Sequence, residues 1–162
     1  MNPQLAAGYR TALGDYVARV EAVQAELLSI YRRKRAALAA ADADVLRQVE
    51  PPERQAAERL KALVAERRQM LAQAERFGMP HGSLAEVAAA VGCDAAIRER
   101  LAACRRRAGT LRREGWVHWV VAKRSLAQTA ALLDLIAHRG DRPPTYDKPA
   151  ATSGGTLLDA SA

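Results

Sequence analysis

Aromatic side chains are scarce in this chain: they make up 4% of its 162 residues, with one phenylalanine. A thick core built on large rings is thereby excluded, because such rings dominate burial where they occur. Strand signals are missing as well. No alternating Val/Ile/Thr run bounded by turn residues occurs, so nothing reads as sheet. The chain has two cysteines, Cys93 and Cys104, and they form no metal or redox motif. If both lie near one helix, they are too far apart for a bridge without a backbone reversal. Reduced thiols in the cytoplasm are expected. No apolar run approaches the ~20 residues of a membrane span. The opening stretch MNPQLAAGYRTALGDY lacks the basic region and apolar core of a signal peptide.

Catalytic patterns are also lacking. There is no phosphate-cradling glycine loop, no GxSxG and no HExxH. His81, His118 and His138 lie far apart along the chain. Asp42 and Asp44 stand two apart, so on a helix they point to different faces and suit capping better than acid–base work. The reading is therefore of no enzyme, no metal and no cofactor.

What is present is alanine and charge. Hydrophobic residues make up 49%, and much of that is alanine, the best helix former and a poor source of burial. Long thin helices follow. The formal charge of +7 permits nucleic acid or acidic partners. Acidic residues are interleaved throughout, so the charge alone requires neither.

Asn2-Pro3 opens a helix with a cap and a first-turn proline. Leu13, Tyr16/Val17, Val20, Val23, Leu27, Ile30/Tyr31 and Leu38 then recur at alternating three and four spacing, a coiled-coil seam. Arg19, Glu21, Gln24, Arg32 and Arg33 are expected to face water. Pro51-Pro52 lack donors and clash with a preceding turn, which predicts helices over 3–49 and 52–77. The alternative is a turn at Asp42–Asp44, with a kink at the prolines. SLAEVAAAVG predicts a short helix, with Ser83 and Glu86 at capping-box spacing and Gly92 as the stop. Asp94 caps a last helix over 95–138.

The architecture expected is all-α: an elongated antiparallel bundle of three long helices plus one short helix. Residues 1–139 form the helical domain. Residues 140–162, rich in proline, glycine, serine and threonine, form a disordered tail. SLAEVAAAVGCDAAIRERL also has the outline of a helix-turn-helix. Its second helix runs on with coiled-coil spacing, however, which leaves no compact reader for a DNA groove.

The segment Glu114–Ile136, EGWVHWVVAKRSLAQTAALLDLI, holds both tryptophans. Trp119, Ala122, Leu126, Leu133 and Ile136 suit a bundle seam. Trp116, Val120, Val121, Leu132 and Leu135 fan to other faces. An apolar surface wider than a slim fold needs marks a binding site, and tryptophan is enriched at such sites.

At these residues the chain resembles the FlgN family of flagellar type III export chaperones. The likeness lies in the order and spacing of LLSIYRRKRAAL, ADADVLRQV, LKALVAERRQML, SLAEV and GWVHWVVAKRSLAQTAALLDLI, with PPTYDKPA after them. The family pattern has asparagines where Gly115 and His118 stand, and it lacks the Asp147-Lys148-Pro149 that follows Tyr146. It runs on as helix through Pro51-Pro52, which favours the turn at Asp42–Asp44. The resemblance implies a cytoplasmic, non-enzymatic chaperone. It would bind terminal segments of hook-associated junction proteins and present them to the export gate. Trp116, Trp119, Val120, Lys123, Leu126, Leu133 and Ile136 would take the cargo helix, and Tyr146 would contribute to gate docking. Two rival readings are a basic nucleic-acid-binding helical protein and a structural coiled-coil subunit that buries its apolar surplus in a homo-oligomer.

Overall fold

The computed structural model describes residues 3–137. The expectations for the tail, 140–162, and for Tyr146 lie outside them. The described elements are the helices α1 (Pro3–Ala39), α2 (Ala43–Arg76), α3 (Leu84–Ala90) and α4 (Ala95–Ala137), and no strand occurs among these residues.

The boundary first expected between α1 and α2 is corrected. α1 stops at Ala39, and α2 runs straight through Pro51 and Pro52. The turn is a helix cap with its two reverse bonds in place. The Asp42 N–H donates to the Ala37 carbonyl at 2.9 Å, and the Ala41 N–H to the Leu38 carbonyl at 3.3 Å. The same bonds close α2 at Gly78 and α3 at Gly92, where glycine takes the left-handed backbone at φ 66° and 71°. In the first turn Ala41 takes that position at φ 53°. Asp42 then caps α2, its Oδ1 accepting from the Val45 N–H at 2.9 Å. The prolines deprive the carbonyls of Arg47 and Gln48 of helical donors. Both residues are exposed, so solvent meets those carbonyls. Val49 and Ala56, on either side, are fully buried and hold the helix in place.

α2 buries Val49, Ala56, Leu63 and Met70, each seven residues after the last. This stripe lies against α1. The ion pairs across the two helices are Arg19–Glu66, Glu26–Arg59 at 2.6 Å and Lys34–Glu53 at 2.7 Å. Numbers rise on one helix as they fall on the other, so the two run antiparallel. Exposed pairs of this kind contribute little energy; the apolar stripe, at about 1.5–3 kcal/mol per large buried side chain, contributes far more. Leu13 and Val17 are fully buried at its α1 side.

α3 begins at Ser83, whose Oγ accepts from the Glu86 N–H at 3.2 Å and donates to the Glu86 carboxylate at 3.0 Å. It buries Leu84, Val87 and Ala88. Arg10 ties its end to α1 by donating to the Val91 carbonyl at 3.2 Å.

The chain divides into two units, Met1–Trp119 and Val120–Ala162. Every buried side chain among the described residues belongs to the first. In the second, residues 120–137 are helical, and from Val121 onward each is exposed.

Candidate partner-binding surface

Within the first unit, α4 turns Cys104, Leu111 and His118 inward, again seven residues apart. They face α1. Arg100 donates to Glu21 at 2.8 Å, and Arg35 pairs with Glu114. Numbers rise together on the two helices, so these stretches run parallel. Gln24, expected to face water, is buried instead. Its Nε2 donates to the Cys104 carbonyl at 3.0 Å. The correction has a simple cause: α1 carries a second packing face, toward α4, which a single heptad seam does not reveal.

His118 is the other buried polar residue. Its ring tilts against that of Tyr31 with centroids 5.2 Å apart, and its Nε2 has no hydrogen-bond partner. Burial pushes its pKa down, and the Lys34 charge pushes the same way; Glu53 and Glu114 oppose them. Seven-residue spacing from Cys104 and Leu111 was the sequence signal for this placement. Both cysteines are buried thiols without a bridge, and burial raises the pKa of each.

The inward stripe ends at His118. Trp116 and Trp119 lie outside it, 63% and 52% exposed, with their rings stacked at a centroid distance of 4.9 Å. Val117 beside them is exposed as well. In the second unit Leu126 and Ile136 are 72% and 74% exposed, and Leu132, Leu133 and Leu135 are each 61% exposed. Lys123 is exposed, whereas Val120 is half-buried. The expectation that Trp119, Ala122, Leu126, Leu133 and Ile136 form an internal seam is therefore corrected. Their spacing suits a seam, but all five are exposed. Val121, Leu132 and Leu135, expected to fan away from the seam, are exposed, and so is Val117, which the residue pattern placed on neither face.

Chemically, this surface is equipped for association. Among the described residues no group of three His, Cys, Asp or Glu side chains is placed to hold a metal ion. No described helix is long and apolar enough to cross a membrane. A row of large apolar side chains on a helix is what another amphipathic helix requires.

The FlgN protein family matches residues 10–154, most of the chain. The chain belongs to the FlgN family. No curated protein and no solved structure matches it. FlgN proteins are flagellar export chaperones, and the family is not an enzymatic one. Gly115 and His118 both lie beside Tyr31 of α1. His118 packs on Tyr31, and a Cβ at Gly115 would meet the Tyr31 hydroxyl at 3.6 Å.

Proposed function

We propose that this FlgN-family chain binds the terminal helical segments of hook-associated junction proteins in the cytoplasm and delivers them to the flagellar export gate. The observation that supports this reading is the uncovered apolar side of α4. Trp116 and Trp119 in the first unit, and Leu126, Leu133 and Ile136 in the second, are each more than half exposed. Val120 and Lys123 stand on the same helix and complete the proposed contact set. A cargo helix laid against these side chains buries its own apolar face and is held back from premature assembly. Nothing in the reading requires nucleotide hydrolysis, so release follows from competition at the gate. We assign residues 1–139 to the chaperone domain, in which α2 runs antiparallel to α1 and the first part of α4 runs parallel to it, and 140–162 to a tail whose Tyr146 contributes to gate docking.

The test uses the full chain and a synthetic peptide spanning the C-terminal helical segment of a hook-associated protein. Titration calorimetry reads affinity, and circular dichroism reads helicity. Trp119→Ala weakens binding by about thirtyfold or more, the ~2 kcal/mol of an interface hot spot, with helicity unchanged. The pair Leu126→Asp and Leu133→Asp abolishes it. Unaltered affinity in both variants sinks the assignment. Lost helicity in Trp119→Ala makes that residue part of the core instead.

A further inference from the structure

The first unit holds a feature the proposed cargo surface does not use. Between α2 and α4, over α1, lies a groove of about 1010 Å³. Val20 and Leu27 contribute to its floor, and Leu60, Val64, Leu101 and Leu111 to its walls. Val64 is 45% exposed although it belongs to this apolar lining.

The groove's charge is one-sided. Arg67 on α2 and Arg98, Arg105 and Arg112 on α4 line it, and no aspartate or glutamate does. Among the described residues these four make no ion pair, whereas Arg19, Arg35, Arg47, Arg54, Arg59, Arg100 and Arg107 each pair with a carboxylate. The three arginines of α4 repeat every seven residues, a row about 10.5 Å apart along the helix. The stretch of α4 that lines the groove, 98–115, spans roughly 26 Å. That is the length of a helix of about 17 residues.

We propose that this groove docks an amphipathic helix of a partner protein, with an apolar seam facing α1 and carboxylates at seven-residue spacing facing Arg98, Arg105 and Arg112. The apolar lining favours a helix face over nucleic acid, whose backbone offers phosphates but no apolar side. The row of arginines fixes the register of the occupant, since charge complementarity sets orientation and partner choice. None of the residues lining the groove belongs to the proposed cargo contact set, Trp116 and Trp119 of the same unit included, so the two proposals stand or fall separately.

The experiment uses the full chain and two fluorescein-labelled synthetic helices of about 18 residues, matched to the groove length. Both carry the same leucine seam; one has glutamate at the flanking positions and the other lysine. Fluorescence anisotropy reads affinity. The glutamate peptide binds more tightly than the lysine peptide by about tenfold or more, a difference of ~1.4 kcal/mol. Arg105→Glu with Arg112→Glu, both at exposed positions, reverses that preference. Ala108→Trp, which fills the groove from its exposed lip, weakens both peptides. Leu126→Asp with Leu133→Asp leaves them unaffected. Equal binding of the two peptides overturns the proposal. So does a preference for the glutamate peptide that survives the arginine reversals, or binding that is lost with the Leu126/Leu133 pair. Displacement of the glutamate peptide by a short DNA duplex at equal concentration would transfer the groove to nucleic acid.

Discussion

His118 has lost its water without gaining a hydrogen-bond partner for Nε2, and this makes its titration a stability term. Its folded pKa lies below the ordinary 6.5, chiefly because burial disfavours the charged ring. The unfolded chain therefore binds more protons as pH falls below that value, and stability falls with it. The carboxylates of Glu21 and Glu114, held below the usual 4.5 by their arginine partners, act in a lower window. Urea midpoints measured from about pH 7 to pH 5 will decline, and His118→Leu will flatten that slope. A second contrast separates core from surface. Leu13→Ala will cost about 2–5 kcal/mol, since Leu13 is wholly buried. Leu126→Ala will change stability by less than about 0.5 kcal/mol. Chemical denaturation checks both, and a large loss at Leu126 would mean that the chain itself shelters this side chain.

At the level of elements, the connection between α1 and α2 is the informative place. It uses the cap that ends α2 and α3, but with an alanine where the other two have glycine. A Cβ in the left-handed region costs roughly 1–2 kcal/mol, of which glycine's greater unfolded-state freedom returns part. Ala41→Gly will therefore raise stability by up to about 1 kcal/mol, read as a higher thermal midpoint. A lower midpoint would show that the turn is not the observed cap. The same comparison explains why the prolines misled. Pro51-Pro52 is the stronger local breaker, yet Val49 and Ala56 bury against α1 on both sides of it and outweigh the lost hydrogen bonds.

For the whole molecule the question is what its positive charge does. Among the described residues, many lysines and arginines are engaged by carboxylates in ion pairs, from Arg19–Glu66 to Arg107–Glu21. An apolar contact on α4 responds weakly to salt, whereas a protein neutralising several phosphates loses about 10³–10⁵ in affinity between 50 and 200 mM salt. Cargo-peptide affinity will change by less than about tenfold over that range. Calorimetry at the two concentrations distinguishes the readings, because a steep decline would belong to nucleic acid.

The helices and their packing stripes were legible in the residues. Leu13 to Ile30, Ser83 to Gly92 and the apolar surplus after Gly115 are local patterns, set by the helical repeat and by cap chemistry. The likeness to FlgN was legible for the same reason, since it is an order of such patterns. Other features depended on distant neighbours. Gln24 and His118 are polar residues whose burial requires another helix beside them, and only the tertiary structure placed α1 and the first part of α4 together. The turn at Ala41 stood second in the local reading because its glycine signal is missing; the FlgN resemblance favoured it, and the burial of Val49 and Ala56 beside Pro51-Pro52 decided that α2 runs on. Likewise, Trp119, Leu126 and Leu133 have the spacing of a seam. Periodicity tells which side chains share a helix face; whether anything lies against that face depends on where the rest of the chain goes.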